Sequence, residues 1–188
     1  MMKRGIKMLL EMIEHTKSDD ELISLYTDIN NTTKFEVGYI ADFNEDDFIL
    51  ERISPEGKYD GYLFGKTQSI YRVELDSIYL NKILKLMKYN GMTRRKNSFE
   101  HNNLLLSFMK FAYEDKKILS IELFESDNQD IVGRVDKFDS DHCTIMQTSE
   151  SGELNGYSSC KLGDISFIVC DSEDQQIIAK LNHSIQNT

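Results

Sequence analysis

Cysteine and histidine are the residue types in this chain with the greatest capacity for nucleophilic or metal chemistry. The 188 residues include three cysteines, Cys143, Cys160 and Cys170, and four histidines. A catalytic thiol or imidazole needs a positioned acid or base beside it. The sequence contains neither a Cys-x-x-Cys pair nor a His-Glu-x-x-His motif to supply one. We therefore predict no catalytic residues and expect that the protein is not an enzyme.

An acidic turn over residues 139–141 comes nearest to a metal site. Asp139 and Asp141 flank a serine, and Glu150 follows Asp139 by eleven positions, a spacing similar to that of a calcium loop. Such a loop requires glycine at its sixth position for a sharp turn, and Thr144 stands there. Aspartate also serves turns by accepting hydrogen bonds from the backbone. We predict neither a metal nor a cofactor.

The tripeptide Arg94-Arg95-Lys96 is the main basic cluster of the sequence. With Tyr89 nearby, it could hold phosphates while the tyrosine ring stacks on a base. The interpretation that we favour is a solvated linker whose charges offset acidic surfaces. With 22 basic and 32 acidic residues the net charge is −10, which opposes a general attraction to nucleic acid. Arg94, Arg95 and Lys96 are kept as a candidate anion contact.

An internal repeat is the strongest feature of the sequence. When the chain is shifted by 95 residues, positions 37–86 match positions 132–181 without a gap at 15 places, where chance predicts roughly three. We interpret this match as two tandem copies of one folding unit. The first repeat spans residues 1–89, a linker spans 90–98, and the second repeat spans 99–188.

Each repeat has the same predicted elements. An amphipathic helix leads, five short strands follow, and a closing helix ends the repeat, with Ser172 and Gln175 forming a capping box in the second copy. Gly38 and Gly133 stand within a predicted strand, where a missing side chain marks a bend or a close backbone approach. Rolling five short strands into a barrel leaves fewer open edges. The predicted fold class is mainly β with flanking helices (β+α), as two tandem five-stranded small barrels.

The alignment of the two repeats also predicts which thiols are buried. Cys143 aligns with Phe48 and Cys170 aligns with Leu75. Large apolar residues at the matching positions favour buried, inert thiols. Cys160 aligns with a glycine and could be exposed, although the sequence gives it no identifiable base.

A tyrosine and a lysine four residues apart recur in both repeats, as Tyr62 with Lys66 and as Tyr157 with Lys161. On a regular strand, residues four apart project from the same face. Such a strip suits a protein ligand or a second subunit, because tyrosine provides contact area at little entropic cost. The alternative, which we favour, is that the tyrosines close the barrel end while the lysines face solvent. The four residues are kept as the candidate partner surface.

The order of these features resembles the Sm-like fold, a small bent barrel. The resemblance is carried by an apolar strand, a Val-Gly pair, a Phe-Asn/Asp-x-Asp turn and a late Ile-x-x-Val/Ile segment, over about 70 residues of each copy. The family binds RNA through two loops, the later of which carries an Arg-Gly pair. Residues 67–69 and 162–164 lack that pair, so RNA binding is not carried over. A bacterial family of this build whose function is unassigned is also similar.

Compartment and function are predicted partly from what the sequence lacks. Three cysteines are a poor disulfide framework, charged residues interrupt the apolar stretch that a secretory leader needs, and no run is long enough to span a membrane. We predict a cytoplasmic protein without a membrane partner. The leading hypothesis is a non-catalytic binding or adaptor protein acting through protein–protein contacts or self-association. The alternatives are an RNA-binding Sm-like protein and an enzyme with a site in the cleft between the repeats.

Overall fold

The computed structural model describes the backbone of residues 2–124 and 131–186, and the side chains of residues 8–124 and 131–185. It divides into two compact units. The first comprises Met1–Asp60 and Gly65–Leu104, and the second comprises Gly61–Phe64 and Leu105–Thr188. The predicted linker over residues 90–98 lies within the first of these units. The predicted strand over residues 130–137 begins at a residue that lies outside the described ones.

The first unit contains two helices and the first five strands, except for residues Gly61–Phe64 of β4, which belong to the second unit. Its strands are hydrogen-bonded in the order β5-β1-β2-β3-β4, and β1 pairs antiparallel with both β2 and β5. A single turn of 3-10 helix at Thr67–Ser69 separates the last two strands. The elements are α1 (Met2–Asp19), β1 (Ile23–Tyr26), β2 (Glu36–Phe43), β3 (Asp47–Ile53), β4 (Tyr59–Lys66), β5 (Arg72–Glu74) and α2 (Ile78–Tyr89).

The second unit is built in the same way. Its strands follow the order β10-β6-β7-β8-β9, and residues Gly61–Phe64 of β4 lie on the outer side of β10. A 3-10 turn at Leu162–Asp164 precedes the last strand. The elements are α3 (Leu104–Glu114), β6 (Ile118–Leu123), β7 (Ile131–Phe138), β8 (His142–Thr148), β9 (Leu154–Lys161), β10 (Ile165–Cys170) and α4 (Glu173–Gln186).

The elements of the two units coincide when the chain is shifted by 95 residues. The bounds of β2, β3 and β4 then fall on those of β7, β8 and β9. The pairing of the second and third strands shifts register at the same place in each unit, between Ile40 and Asp42 and between Val135 and Lys137. The predicted class, mainly β with flanking helices, is confirmed, whereas closure of each strand set into a barrel stays a prediction.

The closing helices begin where their side chains cap the backbone. Ser77 accepts a hydrogen bond from the backbone N–H of Leu80 at the start of α2. In the second unit, the Ser172 backbone N–H donates to Gln175 Oε1 at 2.9 Å, and the Gln175 N–H donates to Ser172 Oγ at 3.3 Å. This is the predicted capping box, in which two otherwise unpaired donors are satisfied reciprocally. The prediction is confirmed.

Each unit packs its helices against the strands through apolar side chains. In the first unit, α2 lies on β2 and β3 in a buried cluster of Leu22, Val37, Tyr39, Ile53, Leu80, Ile83 and Met87. In the second unit, the Tyr62 ring contacts the Phe111 ring edge to face, with centroids 5.5 Å apart. Burial of such side chains stabilises the fold by about 1.5–3 kcal/mol each, which positions the strands described below.

Two glycines allow the second and third strands of each unit to approach closely. A Cβ atom at Gly38 would lie 2.1 Å from the carbonyl oxygen of Glu51, and one at Gly133 would lie 2.1 Å from that of Met146. Real Cβ atoms do not approach oxygen so closely, so any side chain here must push the strands apart. The predicted close backbone approach at both glycines is confirmed.

We expect Gly38→Ala and Gly133→Ala each to lower the free energy of unfolding by about 3 kcal/mol, because overpacking forces the backbone to shift. The measurement is urea denaturation followed by far-UV circular dichroism. Gly163→Ala is the matched control, since a Cβ there meets no atom within 4 Å. An equal loss in all three variants would contradict the steric explanation.

Candidate interaction surface

Strand β9 is an edge strand of the second unit. It pairs antiparallel with β8 on one side, and it is the last strand in the hydrogen-bonded order. An edge strand presents a row of backbone donors and acceptors with which another chain can pair. The backbone of β9 therefore offers a surface for strand addition.

The side chains of β9 are also accessible to solvent. All eight of its residues are exposed or half-buried, and Leu154 and Tyr157 are 60% and 61% exposed. The matching strand β4 differs sharply, because Tyr62 and Phe64 are both 0% exposed. Residues Gly61–Phe64 are covered within the second unit, where they lie beside β10. The same strand is thus enclosed in one copy and open in the other.

The candidate partner surface accordingly separates into two parts. Tyr62 is buried against Phe111 and is not a surface residue. Lys66 is half-buried, and its Nζ lies 2.8 Å from Asp47 Oδ1. Tyr157 and Lys161 are both exposed on β9. The recurring tyrosine and lysine therefore form an exposed strip in the second unit alone.

The basic cluster is packed against the first unit. Arg94 Nε donates to Glu51 Oε2 at 3.2 Å, and the Arg95 backbone N–H donates to Glu51 Oε1 at 2.8 Å. Arg94 also pairs with Asp20, and its side chain is only 14% exposed. Lys96 Nζ lies 2.9 Å from the same Asp20 carboxylate. The interpretation of this segment as a solvated linker is therefore wrong for Arg94.

The guanidinium groups of the cluster also stack on tyrosine rings. The Arg94 guanidinium lies 4.2 Å from the Tyr39 ring centroid, and that of Arg95 lies 3.6 Å from the Tyr59 centroid. Cation–π contacts of this kind contribute about 0.5–2 kcal/mol. The cations predicted as a candidate anion contact are thus engaged by carboxylates and rings of their own unit.

Glu51 is the carboxylate on which this arrangement depends. Its side chain is 0% exposed. Burial raises the pKa of Glu51, and hydrogen bonds from the Arg95 and Lys96 backbone act in the opposite direction. Burial likewise lowers the pKa of Arg94. A buried charge keeps its ionised form only where a partner offsets the loss of hydration, and Arg94 is that partner.

We expect Arg94→Met to lower the free energy of unfolding by about 3 kcal/mol at neutral pH, because it leaves the Glu51 carboxylate buried without its cation. A carboxyl group whose pKa is raised in the folded state contributes most to the free energy of unfolding when the pH is below its unfolded-state pKa. That contribution is lost as the pH rises through the folded-state pKa. The deficit of the variant should therefore grow from acidic to neutral pH. Urea denaturation across that range measures it.

Lys96→Met is the matched control, since Lys96 is 65% exposed and exposed ion pairs contribute at most about 1 kcal/mol. A second variant, Arg94→Met with Glu51→Gln, removes the stranded charge. It should recover stability and lose the added pH dependence. A deficit that does not change with pH would show that Glu51 is not the group responsible.

A second polar cluster in the first unit was not predicted from the sequence. Asp42 Oδ1 lies 2.5 Å from Lys17 Nζ and 3.1 Å from His101 Nδ1. Burial alone would raise the pKa of Asp42, but its hydrogen bonds with Lys17 and His101 bring it below the ordinary value. Lys17 lies 25 positions from Asp42 in the sequence, and His101 lies 59 positions from it. No local sequence motif therefore indicates this cluster.

Two of the cysteines also form a contact that was not predicted from the sequence. Cys143 and Cys170 are buried, which confirms the predicted burial but does not test the predicted inertness. Cys160 is half-buried, and its sulfur lies 3.4 Å from that of Cys143 across the β8–β9 pair. The pairing shifts register between Met146 and Thr148, so a count from the turn at residues 149–152 would have placed Cys143 opposite Ser159 rather than Cys160.

The acidic turn is held by its own backbone. Asp139 Oδ1 accepts hydrogen bonds from the backbone N–H groups of Asp141 and His142, both at 2.8 Å. These hydrogen bonds lower the pKa of Asp139. Among the described residues, no group of three or more histidines, cysteines, aspartates or glutamates is arranged to hold a metal ion. The turn thus uses its carboxylate as a structural acceptor.

Comparison of the chain with protein-family models, with curated proteins and with solved structures gave no match. Within residues 2–124 and 131–186, no helix combines the length and apolarity needed to cross a membrane. A small cavity in the first unit is lined by Leu9, Leu10, Ile13, Thr67 and Ile70. None of these five side chains titrates, so the cavity brings no acid or base together.

Proposed function

We propose that this chain is a non-catalytic binding protein, built from two tandem Sm-like small barrels, that acts through protein–protein contacts at strand β9. The observation that carries the proposal is the contrast between two matching tyrosines. Tyr62 is 0% exposed and Tyr157 is 61% exposed. A surface tyrosine on an open strand edge provides both backbone pairing and apolar contact area.

The repeated strand order supports the tandem-barrel part of the proposal. In each unit the last strand returns beside the first, as β5 beside β1 and β10 beside β6. The remaining strands follow in chain order. This return is the first requirement for rolling a five-stranded meander into a barrel. The shared bulge between the second and third strands adds a bend at the same place in both copies.

The partner that fits β9 is a second copy of this chain. In the second unit, β10 lies beside residues Gly61–Phe64 of β4. By the 95-residue shift, β9 corresponds to β4 and β5 corresponds to β10. Strand β5 stands at the other end of the hydrogen-bonded order and pairs with β1. Adding β5 of one copy to β9 of the next would repeat a pairing that the chain already makes, and such head-to-tail contacts generate rings or filaments.

We expect the wild-type protein to form assemblies larger than its 21.8 kDa chain. Their mass should rise with protein concentration if they are open filaments, or be a fixed multiple of the chain mass if they are closed rings. Tyr157→Lys should shift the population to the monomer, because a lysine on a strand edge opposes pairing. Size-exclusion chromatography with light scattering measures the mass. Unchanged circular dichroism would show that the variant is folded.

Tyr89→Lys is the matched control, since Tyr89 is 88% exposed at the end of α2 and lies on no strand edge. It should assemble like the wild type. A wild-type protein that stays monomeric at every concentration would overturn the choice of a second copy as the partner. Equal loss of assembly in both variants would show that β9 is not the contact.

The RNA-binding alternative stays a prediction. It would require the Arg94 and Lys96 side chains to exchange their contacts with Asp20 and Glu51 for phosphates, and the Arg95 side chain to leave the Tyr59 ring, which works against it. The chain has no tryptophan and nine tyrosines, so co-purifying nucleic acid would stand out in the ratio of absorbance at 260 nm to that at 280 nm. A clean spectrum and no retardation of short RNA at low salt would eliminate this alternative.

A further inference from the structure

Cys143 on β8 and Cys160 on β9 lie directly opposite each other in the antiparallel pair. Their sulfur atoms are 3.4 Å apart. A disulfide joins sulfurs at about 2.04 Å and usually spans Cα atoms about 4.4–6.8 Å apart. Opposite residues of antiparallel strands have Cα atoms about 4.5–5.5 Å apart. The strand pairing therefore already provides the backbone spacing that a disulfide requires, and the sulfurs need only rotate toward each other.

The two thiols differ in exposure and in acidity. Cys143 is 1% exposed, whereas Cys160 is half-buried on the edge strand. The hydrogen bond from the Cys143 thiol lowers the pKa of Cys160. The same hydrogen bond, together with burial, raises the pKa of Cys143. Because the thiolate is the reactive form of cysteine, an oxidant that reaches the hairpin meets Cys160 first.

We propose that Cys143 and Cys160 form a redox-active dithiol that hydrogen peroxide converts into a disulfide between β8 and β9. In the first step, the Cys160 thiolate attacks one peroxide oxygen, the O–O bond breaks, and the departing hydroxide takes up the proton lost by Cys160. The product is a sulfenic acid at Cys160 and one water molecule.

In the second step, the Cys143 sulfur attacks the sulfur of the Cys160 sulfenic acid. The S–S bond forms and the S–O bond breaks. The hydroxyl group leaves with the proton of Cys143 as a second water molecule. Two electrons pass from the thiol pair to the peroxide, so the reaction needs no other oxidant. Cys160 is thus the reactive thiol and Cys143 the resolving thiol.

Cys170 provides an internal comparison within the same unit. It is 0% exposed, and burial raises the pKa of its thiol. A thiol that is both buried and protonated reacts slowly with oxidants. The chain should therefore lose two thiols, not three, under mild oxidation. This inference does not depend on the proposed binding function, because it concerns the chemistry of the hairpin alone.

The test uses the wild-type chain, treated with hydrogen peroxide while folded and then denatured for thiol counting with a chromogenic disulfide reagent. We expect the count to fall from three to one, the chain mass to fall by two hydrogen atoms, and peptide mapping to link Cys143 to Cys160. Dithiothreitol should restore all three thiols. Retention of three thiols until the chain is unfolded would overturn the proposal, as would a bond to Cys170 or between two chains.

Single-cysteine variants separate the two steps. Cys143→Ser should stop at the sulfenic acid, which dimedone labels at Cys160. Cys160→Ser should lose thiols roughly tenfold more slowly than the wild type, because its remaining thiols are buried. Cys170→Ser is the matched control and should form the disulfide at the wild-type rate. Equal rates in Cys160→Ser and the wild type would contradict the assignment of Cys160 as the reactive thiol. The wild-type measurement stands even where a variant fails to fold.

Discussion

Every β-strand carries a row of backbone donors and acceptors that must find partners, and this requirement determines the arrangement of the strands within each unit. In each repeat the fifth strand returns beside the first, as β5 beside β1 and β10 beside β6. Within the second unit, the edge of β10 is covered by residues Gly61–Phe64 of β4. Two strands remain at the ends of the hydrogen-bonded order, β5 and β9. Strand β9 also carries two exposed apolar residues, Leu154 and Tyr157.

A second constraint acts inside each unit, where the second and third strands nearly touch. Gly38 and Gly133 remove the side chain that would otherwise separate them. The side chain of Glu51 on β3 is fully buried, so its carboxylate must find its partners among protein groups. The Arg94 side chain and the Arg95 backbone N–H donate hydrogen bonds to this carboxylate. The basic segment after α2 therefore has a structural task that its composition alone did not reveal.

The sequence predicted the elements of this fold well, because helices and strands follow from local periodicity and the repeat doubles each signal. The glycines were predictable for the same reason, since a glycine within a strand implies a close neighbour. The Arg94–Glu51 pair was not, because 43 positions separate its members and nothing local links them. Tyr62 and Tyr157 are identical residues at matching positions, so their different exposure could be inferred only from the residues that follow them, which are apolar on β4 and serines on β9.

The matching strands β4 and β9 differ in sequence in a way that agrees with their different surroundings. Leu63 and Phe64 on β4 are buried, and their counterparts on β9 are Ser158 and Ser159. A covered strand is stabilised by apolar groups on both faces, whereas an open edge that carried the same groups would adhere to other chains indiscriminately. The halves of this molecule are consequently no longer interchangeable. Two copies of the first half would be prone to aggregate, and two copies of the second would have a weaker interior.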